Sequence, residues 1–404
     1  MSVAGATLAT QLLTLASGPL VARILGPEGR GELATAMAVA VLVSVVSAGG
    51  IPTAIAYTIG KTGATARDAL GRQLWRWGRR ALIAAPAALV GVGLFLHQSD
   101  DKWAMAVVTP AVAVLGAWQL ILAGMLRGEG DVRRINIQGF VGLAVYVASI
   151  VVCFGLDLAV GPTTLLVLFC CCVVVALAAG WSMLQRPSGT PKSETEEVEL
   201  RRLSRRSYLG TLGGGETLGL DLLIVALVLG PVAVGFYAVA RSLASLALLL
   251  LNAVAITIMP RLASLTGARR AHLERRALTV GILMAASSAV GLAAVSDPLI
   301  PLLFGDDFRP AVASARLLSV GLAITGVRRL LAGFVQARGY ASVASYIEGV
   351  SGVLLVVGIA IGSLSHGLTG AAVVVPAVSL LGCVGFVAVL LRDGRPLMGR
   401  NRLG

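Results

Sequence analysis

Apolar residues fall in runs of about 20, and short polar or glycine-rich connections separate one run from the next. A run of that length crosses the roughly 30 Å hydrocarbon core of a bilayer as an α-helix. The chain is therefore expected to be an all-α integral membrane protein. The twelve predicted spans are 2–23, 33–59, 80–98, 103–126, 135–157, 162–184, 207–229, 232–258, 277–303, 310–336, 340–363 and 367–391.

Composition supports this prediction and excludes other classes of protein. Hydrophobic residues make up 57% of the 404 residues and charged residues 13%, whereas soluble domains carry about 25% charged residues. These values exclude a soluble enzyme, a disordered chain and a disulfide-stabilised secreted module. The five cysteines lie in apolar runs without metal-binding spacing, and we find no catalytic motif. We therefore expect no metal, no cofactor and no enzymatic activity.

The distribution of basic residues predicts the orientation in the membrane. The net charge is +13, which in a soluble protein would suggest a nucleic-acid partner. Here the even-numbered connections and the C-terminal tail hold 25 of the Lys and Arg residues, and the odd-numbered connections hold 4. Cytoplasmic loops carry such an excess. We therefore place both termini in the cytoplasm and predict no nucleic-acid partner.

A glycine motif recurs at equivalent points of the two halves. The tripeptide LGP at 25–27, with Gly31, follows span one, and LGP at 229–231, with Gly235, follows span seven. Glycines at 124 and 130 after span four likewise recur at 333 and 339 after span ten. Both halves enter the membrane from the same side, which predicts two six-helix bundles related by a parallel pseudo-repeat. The predicted division is 1–186, a cytoplasmic linker at 187–206, 207–391 and a cytoplasmic tail at 392–404.

Charged residues inside a span cost about 2.5–3.5 kcal/mol each on insertion scales, so each one needs a partner or water. Glu216 and Asp221 lie in span seven, and Arg241 lies in span eight. An Asp221–Arg241 ion pair and a shared polar cavity are both consistent with their equal depth. The two acidic groups are also candidates for binding a coupling ion, a proton or sodium, or for balancing charge, as is Glu348 in span eleven.

Further arginines lie in span ten. Arg329 lies ten residues before the turn at Gly339 and Glu348 nine residues after it, which predicts an ion pair between them. The sequence identifies no acidic partner for Arg316 or Arg328. Unpaired guanidinium groups favour a water-filled cavity that accepts an anion, because guanidinium binds phosphate oxygens in a bidentate manner. For Arg316, snorkelling to the membrane surface is the alternative interpretation.

Polar side chains recur along one face of three spans. Such stripes either line a hydrophilic space between the two halves or serve helix packing. Because three spans carry them, we predict a lining role. The residues are Thr7, Gln11 and Thr14 in span one, Tyr208 in span seven, and Ser245 and Asn252 in span eight.

A family resemblance extends over nearly the whole chain. It is carried by four segments, 22–31 (ARILGPEGRG), 220–262, 304–308 and 336–339. Together they resemble polysaccharide flippases of the Wzx type, in the superfamily of multidrug, oligosaccharidyl-lipid and polysaccharide exporters. The resemblance implies a central cationic cavity and alternating access. It implies transport of an undecaprenyl-pyrophosphate-linked oligosaccharide in the bacterial cytoplasmic membrane, with a polysaccharide polymerase or glycosyltransferase as partner.

Asp221, Arg241 and Arg23 occupy positions where the family pattern has the same residue type. We expect Arg241 to bind the anionic headgroup, with Arg316, Arg328, Arg329 and Arg23 as further candidates. One alternative function is an ion-coupled exporter of drugs or metabolites, against which the surplus of Arg over acidic residues in the spans argues. Another is a non-transporting scaffold, against which the intramembrane charges argue.

Overall fold

The computed structural model describes residues 3–62, 73–96, 101–156, 158, 160–184, 219–265 and 267–393. Within these ranges every regular element is helical, and eight helices are long and apolar enough to cross a membrane. The chain is therefore a multi-pass membrane protein. The helices are α1 (Val3–Ala48), α2 (Ile51–Thr62), α3 (Gln73–Phe95), α4 (Lys102–Gly128), α5 (Val132–Gly155), α6 (Pro162–Met183), α7 (Leu220–Leu229), α8 (Pro231–Ser264), α9 (Gly267–Phe304), α10 (Ala311–Ala337) and α11 (Ala341–Asp393), with a 3₁₀ turn at Asp306–Phe308.

Two of these helices each join predicted spans across a sharp kink. In α1 the kink is at Gly26, where φ is 65° and ψ is −175°, between predicted spans one and two. In α11 it is at His366 and Gly367, between spans eleven and twelve. The connections were therefore predicted at the right places, although the helices continue almost directly through them. The predicted linker 187–206 and most of span seven lie outside the described residues.

Predicted span two is interrupted, and this was not predicted. Helix α1 ends at Ala48 and α2 begins at Ile51, with Gly49 at a φ of 53°. Pro52 has no N–H, so it cannot donate the helical hydrogen bond that the Ala48 carbonyl would accept four residues earlier. The apolar run 33–59 conceals the break because hydropathy does not report backbone hydrogen bonding.

The equivalent glycines of the two halves also adopt similar backbone conformations. Gly230 has a φ of 81° and a ψ of 179°, close to the values at Gly26, and this region is essentially restricted to glycine. Each glycine is followed by a proline in the first turn of the next helix, a position at which proline is favoured. Gly130 and Gly339 match in the same way, with φ values of 77° and 92°.

The two LGP motifs also pack against each other. Gly31 and Gly235 are both buried. A methyl group added at Gly31 would overlap the carbonyl of Pro231, and one added at Gly235 would overlap the carbonyl of Pro27. Each motif thus places its second glycine on the proline of the other, and the backbones touch because neither glycine has a side chain.

By packing, the chain divides into two compact units. The first comprises Met1–Val239 with Ile300–Arg309, and the second comprises Ala240–Leu299 with Pro310–Gly404. The first unit has its core around α1, with Leu33 and Ala36 fully buried, and the second around α10, with Leu330 and Phe334 buried. The predicted boundary at 186–207 stays a prediction because the linker is not described.

Candidate functional site

Asp221 is a buried carboxylate of the first unit, as is Glu32 of α1. Asp221 is 5% exposed and lies in the first turn of α7, which starts after Gly219 in the left-handed conformation. The hydroxyl of Tyr237, on α8, donates a hydrogen bond to Asp221 Oδ2 over 3.3 Å. The N-terminus of a helix also favours negative charge. Tyr237 is fully buried and was not identified from the sequence, because it reads as an ordinary apolar core residue.

Arg241 lies on α8 in the second unit and is partly buried. It is engaged in a polar interaction of its own, and the predicted Asp221–Arg241 pair stays a prediction. Ser245 is exposed, and its hydroxyl donates to the carbonyl of Ser242 over 2.7 Å. Asn252 is partly buried. The predicted lining role of these two residues is therefore not tested.

Arg23 is used within the first unit. Its Nε donates to the carbonyl of Leu303 over 2.9 Å, and its Nη2 donates to the carbonyl of Leu302 over 2.5 Å. The last carbonyls of a helix lack intrahelical donors, so Arg23 caps the C-terminal end of α9. The predicted role of Arg23 in binding the anionic headgroup stays a prediction.

Arg30 is a candidate that sequence reasoning missed. Its Nε is shielded from solvent and has no hydrogen-bond partner, and buried Tyr146 of α5 lies beside it. No described carboxylate forms an ion pair with it. Position 30 lies between predicted spans one and two, whereas the structure places Arg30 inside α1, in a segment apolar enough to span the membrane. Proline at 27 was the available signal, because proline in a first helical turn predicts that the helix continues.

In the second unit the predicted pair of Arg329 with Glu348 is wrong. Glu348 pairs with Arg328 at 3.2 Å, and Arg328 is only 5% exposed. Successive helix residues point about 100° apart, and it is position 328 that faces α11. Gly382 leaves room for the arginine stem, since a methyl group there would overlap it. Arg329 is partly buried and forms no ion pair among the described residues.

Arg316 also has a carboxylate partner, contrary to the sequence interpretation. Its Nη2 pairs with Asp297 of α9, and both side chains are about half exposed. Arg316 and Arg328 therefore do not supply the unpaired positive charge that the sequence suggested. The pairing was not foreseen because Asp297 lies 19 residues earlier, on a different helix.

The remaining predicted residues are described only in part. Tyr208 and Glu216 lie outside the described residues, as do the side chains of Thr7 and Gln11, whose backbone belongs to α1. Thr14 is exposed. The polar stripes of spans one and seven thus stay predictions.

Comparisons with known proteins agree with this architecture. Residues 1–266 match the profile of a family described as polysaccharide biosynthesis protein. A search of curated proteins finds no match. The solved structure of the lipid II flippase MurJ, in an inward closed conformation, is similar with a TM-score of 0.78 and 12% identity over 96% of this chain and 87% of that chain.

Two transporters of a second group are also similar. One is a multidrug resistance MATE family transporter of the MOP superfamily in an inward-facing conformation, with a TM-score of 0.73 and 16% identity over 95% of this chain and 94% of that chain. The other is a mutant form of the Vibrio cholerae MATE transporter VcmN, with a TM-score of 0.60 and 14% identity over 96% and 94%. At these identities the likeness establishes the fold, and the predicted all-α fold of two six-helix bundles is confirmed.

Proposed function

Because the chain belongs to the polysaccharide biosynthesis protein family, we propose that it is a flippase for a lipid-linked oligosaccharide in the bacterial cytoplasmic membrane. The substrate is an oligosaccharide on undecaprenyl pyrophosphate, and alternating access moves it from the cytoplasmic to the outer leaflet. A polysaccharide polymerase or glycosyltransferase is the expected partner. Neither terminus crosses to the outside in this proposal.

The observation that carries the proposal is the position of Arg30. Arg30 is partly buried, and its shielded Nε has no hydrogen-bond partner. A buried polar atom left without a partner costs about 1–3 kcal/mol, so structural stability does not explain the residue. A pyrophosphate brings oxygen atoms that a guanidinium binds in a bidentate manner. In the second unit, Arg329 is partly buried and forms no ion pair among the described residues, so it stays a separate candidate. Arg241 remains the residue that the family resemblance favours for the same anion.

The test is an export assay in the native host. Deletion of the gene is expected to abolish surface saccharide and to accumulate lipid-linked oligosaccharide on the cytoplasmic side, and the wild-type gene restores export. Arg30→Ala and Arg241→Ala are expected to restore little export. Arg30→Lys is expected to be intermediate, because lysine keeps the charge but not the bidentate geometry. The control is Arg309→Ala, at an exposed arginine paired with Asp306, which should export normally.

Full export by Arg30→Ala and Arg241→Ala at normal protein levels would remove these residues from the mechanism. Unchanged surface saccharide after deletion would overturn the function itself. The likeness to MATE transporters favours one rival, an exporter of drugs or metabolites coupled to protons or sodium through Asp221, Glu216 or Glu348. That rival predicts that the deletion raises drug susceptibility while leaving the saccharide intact.

A further inference from the structure

Two polar groups lie side by side inside the first unit without a described hydrogen-bond partner for either. Arg30 of α1 and Tyr146 of α5 are within electrostatic reach of each other. The Nε of Arg30 is shielded from solvent and has no partner. Tyr146 is only 5% exposed, and no described residue forms a hydrogen bond with its hydroxyl. Buried polar groups in folded proteins are nearly always paired, so two adjacent groups without partners point to a ligand.

Packing against α6 fixes the ring of Tyr146. Phe169 meets this ring edge to face, with the two ring centroids 5.3 Å apart. One turn earlier on the same face of α5, Gly142 lies so close to α6 that an added methyl group would overlap the side chain of Ala176. Close-packed side chains have little freedom to change position. The place of the phenol beside Arg30 is therefore set by the contact between α5 and α6.

Apolar residues surround the two groups. Tyr146 belongs to the same buried cluster as Leu33, Ile150 and Leu165. Hydrogen bonds and electrostatic attraction are stronger in such surroundings than in water. Arg30 supplies a permanent positive charge and several N–H donors, and Tyr146 supplies one O–H donor. This combination suits an anion with several acceptor oxygens, and its charge repels an organic cation.

Both groups keep a donor that a ligand can reach. Arg30 as a whole is only partly buried, and its two Nη atoms are not among the shielded atoms. The hydroxyl of Tyr146 is not among them either. The guanidinium end and the hydroxyl are thus accessible, while the Nε and the aromatic ring are held within the bundle.

Position along the helices places the two residues in one half of the membrane. Arg30 is four residues after the kink at Gly26, a rise of about 6 Å. Tyr146 is nine residues before α5 ends at Gly155, a rise of about 14 Å. Both helix ends adjoin odd-numbered connections, which lie outside in the predicted orientation. A headgroup that starts in the cytoplasmic leaflet reaches this outer half last.

We propose that Arg30 and Tyr146 form a phosphate site that holds the headgroup of the substrate in the outer half of the membrane, late in transport, with the Tyr146 hydroxyl as its second donor. This inference rests on the proposed function, which supplies the anion, a pyrophosphate on a lipid chain. It extends that function by assigning a binding role to an uncharged residue and a stage of transport to the site. The phosphate of an ordinary phospholipid offers similar oxygens, so the test compares the two sources.

A binding measurement on the purified full-length protein in detergent tests the site. The probe is farnesyl pyrophosphate, which joins a pyrophosphate to a short isoprenoid chain, and its Kd is measured by microscale thermophoresis. Tyr146→Phe removes the hydroxyl and keeps the ring, so it is expected to raise the Kd about tenfold through the loss of a hydrogen bond to a charged group. Its melting temperature without the probe should stay at the wild-type value, because no described partner is lost. A hydroxyl with a purely structural role would instead lower that temperature when removed.

Two further variants make the result specific to this site. Tyr346→Phe, at a tyrosine that is 74% exposed, is the matched control and should bind like wild type. Arg30→Gln should also raise the Kd, and Tyr146→Phe should add little to it, since two donors to one anion give non-additive effects.

Absence of binding by the wild type, additive effects of the two variants, or an unchanged Kd in Tyr146→Phe would each overturn the proposal. Phosphatidylglycerol is expected to compete weakly, because its phosphodiester carries less negative charge than a pyrophosphate. Equal competition by phosphatidylglycerol would identify an ordinary phospholipid site and would also overturn the proposal.

The side of the membrane is tested separately. In a variant with all five cysteines replaced, Arg30→Cys is expected to react with a membrane-impermeant maleimide in intact cells, and Tyr146→Cys serves if Arg30→Cys does not fold. Absence of label from the outside would overturn the outer placement. Loss of surface saccharide on deletion, combined with wild-type binding by Tyr146→Phe, would overturn this site and leave the proposed function standing.

Discussion

Arg328 and Arg329 are adjacent in sequence and differ in environment. Arg328 is buried and paired with Glu348, whereas Arg329 is partly buried without an ion pair among the described residues. The difference follows from the 100° step between helix positions. An ion pair in an apolar interior is weak evidence for stability, but breaking it leaves an uncompensated charge.

We predict that Arg328→Ala destabilises the protein by about 3–5 kcal/mol, since Glu348 would lose its partner. The melting temperature of the purified protein in detergent measures this. Arg329→Ala is the control at the neighbouring position and should melt within a degree or two of wild type.

The double variant R328M/E348L separates stability from function. Replacing a buried pair by apolar residues is often neutral or stabilising, so we expect the melting temperature to recover. If export also recovers, the pair is structural. A double variant that melts as low as Arg328→Ala would contradict this interpretation.

The kinks at Gly26 and Gly230 determine how the first and seventh spans pass into the next helices. Both glycines occupy a backbone region that other residues adopt only under strain of about 1–3 kcal/mol. A proline directly after each one starts the following helix. The turn therefore needs no loop residues, and this explains why α1 is one element of 46 residues.

Gly26→Ala and Gly230→Ala are each expected to lower the melting temperature and the folded yield, because alanine cannot adopt the required conformation without strain. The space around Gly26 is open, so backbone strain is the only cost there. Gly139→Ala, in α5 with no neighbour within 4 Å, is the control and should melt like wild type. Equal stability of Gly26→Ala and Gly139→Ala would refute the argument from backbone conformation.

The predicted orientation in the membrane rests on the distribution of Lys and Arg, with 25 in the even-numbered connections and the tail and 4 in the odd-numbered connections. In a variant with all five cysteines replaced, we expect Asp307→Cys, at the exposed 3₁₀ turn, to react with a membrane-impermeant maleimide in intact cells. Arg269→Cys, at the exposed start of α9, should react only after lysis. The reverse pattern would invert the predicted topology.

The membrane spans and the repeat were predictable because each one leaves a signal in the local sequence. Hydropathy is sufficient to find the spans, and the recurring LGP tripeptide reveals the repeat. The partner of Glu348 and the pairing of Arg316 with Asp297 were not predictable, since both depend on which helix faces are in contact. The break at Gly49 and the position of Arg30 inside α1 depend on backbone hydrogen bonding, which apolar runs do not report. Arg30 was not recognised as a candidate site residue, because a connection was expected at the point where helix α1 continues.

Gly31 rests on Pro231 and Gly235 rests on Pro27, so exchanging the two motifs maps the contact onto itself. An interface with this property joins identical subunits in a two-fold dimer. A half-length ancestor with one copy of the motif would make the same contact by pairing with a second copy of itself in parallel orientation. The same glycine of each subunit would then contact the proline of the other subunit. Fusion of two copies of such a gene would turn the contact between subunits into a contact within one chain. The sequences of the two halves could then diverge. Glu129 and Arg338, which occupy matching points before the two equivalent glycines, already carry opposite charges.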